Sequence, residues 1–301
     1  MSERVVKLAL AYDGTDFAGW QRQAGVRTVQ EELEKALGKM HGHPVPVVGA
    51  GRTDSGVHAA GQVAHFVTDI ASIPAGRFEP ALNKLMPSDV RVVRAEEADP
   101  DFHARYDARL RRYRYFIVAG SPPSPFRDRY AWRLRHRPDP ARLNRMAACL
   151  RGEVDCTAFA AAKDPSDNRF RYLHHAAFHV EGDALVFDVA ANAFLWRMVR
   201  SLVGTLVGLD AAGEPVTAMR DILESGDRAR AGATAPPRGL FLWNVEYYDT
   251  PTRRGRRPFA TSTRVATSTR VATSTRVEGD GMDDEKPRLV PGVGWIQGGS
   301  A

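Results

Sequence analysis

Gly49-Ala50-Gly51-Arg52-Thr53-Asp54-Ser55-Gly56-Val57-His58 is the stretch from which the rest of the chain can be understood. Its glycines permit tight turns and close approach of the backbone to another group. Arg52 and Asp54 stand two apart, so their charges can meet in a loop, and a nearby cation keeps a carboxylate ionised, as a nucleophile requires. The competing reading is an ordinary Asp-Ser-Gly turn whose carboxylate is spent on its own backbone. Residue type and spacing leave both open. Gly49-Ala50-Gly51 also begins like a dinucleotide fingerprint, but Asp54 stands where the third glycine is required.

On the N-terminal side of this loop, Val6, Leu8, Leu10 and Tyr12 alternate with Lys7, Ala9 and Ala11, which predicts a strand over 5–12 ended by Asp13-Gly14. Thr28-Val29-Gln30-Glu31 fits a capping box. Val29, Leu33, Leu37 and Met40 then recur at helical spacing and predict a helix over 29–40, followed by a short strand over 45–48. On the C-terminal side come a strand over 62–67 with Val63 and Val67 on one side, a helix over 78–86 closed by Pro87, and a strand over 90–96. Tyr113, Tyr115 and Ile117 alternate with Arg114, Phe116 and Val118, a strand with both faces usable, and Pro122, Pro123 and Pro125 make a loop. A helix over 140–150, a hairpin of 174–180 and 184–190 around Gly182-Asp183, an apolar helix over 193–209, a helix over 215–224 and a strand over 240–247 complete the pattern. Strands and helices do not alternate regularly, so the fold class is α+β, mainly antiparallel sheet with helices on one face.

The chain has 301 residues, 43% hydrophobic and 26% charged, which suits a soluble protein of about two domains. No apolar run approaches a membrane span, and the first residues do not read as a signal peptide. Cys149 and Cys156 fit neither a disulfide framework nor a common zinc spacing, which points to a cytoplasmic location. His175 and His179 fall in a strand, where a four-residue spacing does not bring two rings together as it would on a helix, so no metal is expected. There is no phosphate-binding G-x-x-x-x-G-K-[ST] loop, and no cofactor is expected. Net charge is +6, of which residues 251–301 hold +4, so bulk basicity says little about the rest. Clustering says more. Arg105, Arg109, Arg111, Arg112 and Arg114, and then Arg127, Arg129, Arg133, Arg135 and Arg137, are interleaved with Tyr106, Tyr113, Tyr115, Tyr130 and Trp132, the makings of a phosphate-binding surface with stacking groups. Ala-Thr-Ser-Thr-Arg-Val occurs in tandem at 260–265, 266–271 and 272–277, and 251–301 reads as a low-complexity, disordered tail.

The octet from Gly51 to His58 resembles the signature of the tRNA pseudouridine synthase A family, whose Asp is the nucleophile. Further segments agree, in order: Tyr12-Asp13-Gly14-Thr15-Asp16-Phe17-Ala18-Gly19-Trp20-Gln21-Arg22-Gln23, Thr28-Val29-Gln30-Glu31, Asp101-Phe102-His103-Ala104-Arg105, Arg112-Tyr113-Arg114-Tyr115, and Ala191-Asn192-Ala193-Phe194-Leu195-Trp196-Arg197-Met198-Val199-Arg200. The resemblance covers about residues 5–248, and Ser55 replaces the alanine often found after the Asp. It implies isomerisation of uridine to pseudouridine in the tRNA anticodon stem-loop, at tRNA positions 38, 39 and 40, without cofactor or metal. It also implies the pseudouridine synthase fold, two related α+β halves divided as 1–107 and 108–250 with the cleft between them, a homodimer, and tRNA as partner. Asp54 would attack ribose C1′ or uracil C6, or assist elimination to a glycal. Arg52 would help extrude the nucleotide or hold its phosphate, Tyr113 would stack on the flipped base and serve in removing the C5 proton, and Arg200 would form the ion pair that keeps Asp54 ionised. His103, Arg112 and Arg114 are expected near the RNA, His58 in a structural role and Phe159 in packing near the site. A strand Tyr is otherwise a packed residue with a bonded hydroxyl, and Arg200 otherwise an exposed residue bordering a buried helix face. The rival functions are a non-catalytic RNA-binding module and an enzyme of small nucleosides or sugars.

Overall fold

The computed structural model describes residues 3–120 and 122–247. The reading of 251–301 as a disordered tail therefore lies outside the described residues. The chain forms β1 (Arg4–Tyr12), α1 (Val29–His41), β2 (Val48–Gly49), β3 (His58–Thr68), α2 (Phe78–Leu85), β4 (Val90–Glu97), β5 (Leu110–Ala119), α3 (Pro125–Asp128), β6 (Trp132–Leu134), α4 (Pro140–Ala147), β7 (Gly152–Asp155), β8 (Phe170–Glu181), β9 (Ala184–Ala191), α5 (Met198–Leu209), α6 (Pro215–Ser225) and β10 (Leu240–Glu246). The architecture is α+β. One sheet runs β4-β1-β3-β10-β5-β9-β8-β7, with β2 added to β3 and β6 to β5. Pairing is antiparallel except at β10–β3 and β5–β6.

The last strand sits in the middle. β10 joins β3 in parallel through Phe241 opposite His58 and Leu242 opposite Ala59. On its other side it pairs antiparallel with β5, where Leu242 faces Tyr113. The sheet is thereby continuous from the strands that precede residue 108 to those that follow it. Val6, Leu8 and Leu10 of β1 are fully buried in one cluster with Val29, Leu33 and Leu37 of α1 and with Phe78 and Leu82 of α2. Both faces of β9 are buried, in agreement with a composition that is apolar at every position but Asp188.

Three departures from the sequence reading have local causes. The strand expected at 45–48 is reduced to Val48–Gly49, because Pro44 and Pro46 offer no N–H to a ladder; Val45 and Val47 are buried all the same. The helix expected from 193 begins at Met198, because Arg197 takes a left-handed conformation with φ 62° and residues 192–197 form a loop. The strand expected from Gln62 begins at His58, where Tyr12 and β10 supply its partners, so Val63 is buried while Val67 at the far end is exposed. At α1, the Thr28 side chain accepts from the Glu31 N–H as the capping box requires, while the Glu31 carboxylate pairs with Lys35 one turn on.

Candidate active site

Asp54 lies in the loop between β2 and β3, and neighbouring backbone fixes that loop. The Val57 N–H donates to the Asp54 carbonyl at 3.1 Å, which closes a turn with Gly56 at φ 75°. The Gly56 N–H and the Ser55 hydroxyl both donate to the Phe17 carbonyl at 3.2 Å. Gly14 lies against the far end of the turn: a Cβ added there would stand 1.9 Å from the Val57 carbonyl oxygen, so that position has to be glycine. At the near end the Trp20 N–H donates to the Thr53 carbonyl at 3.0 Å, the Tyr12 hydroxyl bonds Thr53 Oγ1 at 2.8 Å, and Gln62 Nε2 donates to the Gly51 carbonyl at 2.7 Å. The loop's turn uses the Asp54 backbone, and its carboxylate is left over.

That carboxylate reaches the other half of the chain. Arg200 Nη1, in the first turn of α5, donates to Asp54 Oδ2 at 2.9 Å, and Trp196 Nε1 donates to Oδ1 at 2.9 Å. Both partners of the ion pair are largely shielded, with 13% of the Arg200 side chain and 19% of the Asp54 side chain exposed. Arg200 is itself held, since its Nε donates to the Ala235 carbonyl at 2.8 Å. Each oxygen of the carboxylate thus has one donor, so the group is held in one orientation in a shielded site.

Tyr113 of β5 forms the adjoining wall. Its ring is buried, edge-on to Phe194 with centroids 5.0 Å apart. A Cβ added to Gly51 would come 3.8 Å from its hydroxyl oxygen, so the phenol points at the Asp54 loop. Burial, with the Tyr12 phenol and the Asp54 charge, pushes the Tyr113 hydroxyl above the ordinary tyrosine range, and only Arg111 opposes the shift. The phenol therefore stays protonated through neutral pH. It has no hydrogen-bond partner among the described residues.

Two further groups join segments distant in sequence around this wall. The Arg111 guanidinium donates to the carbonyls of Ala50 at 3.0 Å, Arg105 at 2.7 Å, Ala108 at 3.1 Å and Asn192 at 2.7 Å, so one side chain ties the Asp54 loop to the segments carrying His103 and Phe194. Asp13 accepts from Thr15 and contacts His58 Nδ1 at 3.1 Å, and across the sheet it accepts from Arg129 Nε and the Tyr130 hydroxyl, each at 2.9 Å. Burial alone would raise the Asp13 carboxyl, but the bonds from His58, Thr15 and Arg129 outweigh it and hold the group well below the usual carboxylate range.

The other sequence-derived candidates divide. Arg52 is exposed beside Asp54 yet has no ion-pair partner among the described residues, so the charge expected to meet Asp54 from two positions away is supplied by Arg200. His103 stacks on the exposed Tyr106 ring at 4.2 Å, and its Nδ1 accepts from the Arg105 and Tyr106 N–H groups. Arg112 and Arg114 leave β5 on the face opposite Tyr113 and share buried Asp188 of β9, at 2.7 and 3.1 Å; they are not brought to Asp54. His58 is fully buried, with its ring stacked on Phe241 at 4.6 Å, and Phe159 is fully buried. Among the described residues no cluster of three or more His, Cys, Asp or Glu side chains is suited to hold a metal, and no helix is long and apolar enough to cross a membrane. Sequence reasoning missed Trp196, Arg111 and Asp13 as parts of the site. Each lies inside a segment it had singled out, but no local pattern distinguishes it there.

Known proteins resemble this chain over most of its length. Residues 8–107 and 146–248 match a family described as tRNA pseudouridine synthase. The chain is 52% identical over 251 residues to tRNA pseudouridine synthase A of Treponema denticola, covering 82% of this chain and 94% of that protein. It is 42% identical to the protein of that name from Brachyspira hyodysenteriae, covering 81% and 98%, and 44% identical to the one from Bacillus subtilis, covering 81% and 99%.

Proposed function

The chain belongs to the tRNA pseudouridine synthase family, and from that premise we propose that it modifies uridines of the anticodon stem-loop, at tRNA positions 38, 39 and 40, with Asp54 as nucleophile. The isomerisation of uridine to pseudouridine in tRNA is the family's reaction. The observation that carries the assignment to Asp54 is its 2.9 Å ion pair with Arg200, formed by residues 146 positions apart at the junction of the sheet. Attack at ribose C1′, attack at uracil C6 and elimination all need an ionised carboxylate at the nucleotide, and this pair supports one.

The remaining roles follow from placement. Tyr113 offers a ring and an unpartnered hydroxyl beside the loop, suited to stack on the uracil and to assist the step in which C5 loses its proton. Arg52, exposed at the loop's edge, is free to take the phosphate of the extruded nucleotide. Flipping a base out of a stem costs a few kcal/mol, and base stacking together with charge-assisted phosphate contacts is of the size to offset it. The division of the chain at residues 1–107 and 108–250, a homodimer holding one tRNA, and a cytoplasmic location belong to the same reading; supporting the division, Asp54 precedes the boundary while Tyr113 and Arg200 follow it.

The test is pseudouridine mapping on whole tRNA incubated with wild-type protein and with Asp54→Asn. Anticodon-arm pseudouridine from the wild type and none from the variant is the expected result. Equal product from both would remove Asp54 as nucleophile, and product confined to another arm would remove the positional assignment.

A further inference from the structure

Trp196 is 41% exposed, yet its backbone and its ring are both held. Its N–H is bonded by Asp164 Oδ2, and its carbonyl accepts from the Ala161 N–H at 3.0 Å. Asp164, 9% exposed, is itself fixed: its N–H donates to the Ala161 carbonyl at 2.9 Å and its Oδ1 accepts from the Ser166 N–H at 2.8 Å. The next residue, Arg197, has the one positive φ of any non-glycine among the described residues, 62°. Its guanidinium carbon lies 5.0 Å from the Trp196 ring centroid, a cation–π contact. A left-handed non-glycine residue costs about 1 to 2 kcal/mol and persists where its surroundings over-determine it, and such outliers cluster at functional sites.

From these observations we propose that Trp196 is a positioning residue for catalysis, in which the indole N–H, aimed by Asp164 through the Trp196 backbone, holds Asp54 Oδ1 while Arg200 holds Oδ2. Two donors on two different oxygens fix the plane of a carboxylate, which one donor does not. Each carboxylate oxygen has two lone pairs, so Oδ1 keeps one free for the nucleotide while the indole occupies the other. Arg197 makes the arrangement compact: its left-handed turn ends the loop and starts α5, so Trp196 and Arg200 approach the same side chain from one short segment. The proposal rests on the reading of Asp54 as nucleophile.

The experiment measures single-turnover rate and tRNA Kd separately for Trp196→Phe, Trp196→Ala and Asp164→Ala. Phe keeps a ring for stacking and for Arg197 but lacks the N–H. If the N–H positions Asp54, the rate falls about tenfold in both Trp196 variants, the size of one lost hydrogen bond to a charged group, and the Phe variant binds tRNA as wild type does. Asp164→Ala lowers the rate as well, and combining it with Trp196→Phe adds little, because both act through one contact. A Phe variant at the wild-type rate overturns the proposal, as does a loss confined to Kd. Thermal unfolding of each variant separates these outcomes from misfolding, which would lower rate, binding and Tm together. Asp54→Asn, run alongside, isolates the premise: if it turns over, the nucleophile assignment fails whatever Trp196 does.

Discussion

A carboxylate 2.9 Å from a guanidinium, with both side chains four-fifths or more shielded, is a pair in which each partner answers for the other's desolvation. Removing Arg200 leaves Asp54 shielded and without its cation, so Arg200→Met is expected to lower the single-turnover rate by about a hundredfold, or about 2.7 kcal/mol of activation free energy. Tyr113 poses a different question. Its hydroxyl has no hydrogen-bond partner among the described residues, so Tyr113→Phe removes no contact seen to stabilise the fold; Tm and tRNA Kd should stay near wild type. A proton-transfer role would then appear as a rate loss of about a hundredfold or more in rapid-quench measurements. If the rate is unchanged, the ring acts by stacking alone. Arg52 differs again from Arg200: it is exposed and has no ion-pair partner among the described residues, so Arg52→Ala should weaken tRNA binding and reduce its salt dependence without altering Tm.

At the scale of single elements, α1 was legible because two signals coincide in it. Thr28 and Glu31 mark its start and Val29, Leu33 and Leu37 its buried face; the structure adds its end at Gly42, at φ 75° with its N–H on the Gly38 carbonyl. The Thr28 cap is buried, and Thr28→Ala should cost about 1 kcal/mol, seen as a drop in Tm of about 2–4 °C. α5 was legible only in part. Its apolar spacing continues backward through Leu195 and Phe194, so periodicity alone runs the helix on, whereas its true start is set by the hold of Asp164 on the Trp196 backbone and by the left-handed Arg197. β2 failed for the converse reason: a Val-rich run looked like a strand, but Pro46 within it and Pro44 just before it remove donors that a strand needs.

In the whole molecule, the site depends on contacts that cross the junction between β3 and β5. Asp13 is one of them, and its depressed carboxyl makes a pH prediction. A group whose pKa is lower in the folded chain contributes stability that is full above its unfolded pKa, about 4, and is lost as pH falls further toward the folded value. Asp13→Asn should therefore lower Tm near neutral pH, and in thermal denaturation the gap between variant and wild type should hold steady down to about pH 4 and narrow below it. A constant gap would mean that the carboxylate's charge is not what the junction uses.

Read without its structure, the chain already determined a good deal: the alternation in β1 and β5, the amphipathic face of α1, the hairpin of β8 and β9, and the ordered segments that place it in its family and single out Asp54. These are properties of neighbours in sequence, where side-chain periodicity and turn chemistry act within a few residues. Tertiary structure decided the pairings. It left Arg52 without an ion-pair partner among the described residues and brought Arg200 to the carboxylate, turned Arg112 and Arg114 to the far face of β5 to share Asp188, and enlisted Trp196, Arg111 and Asp13. The physical reason is the position of β10. The last strand enters the sheet between β3 and β5, and that one insertion sets which residues, more than a hundred positions apart, lie within hydrogen-bonding distance at the site.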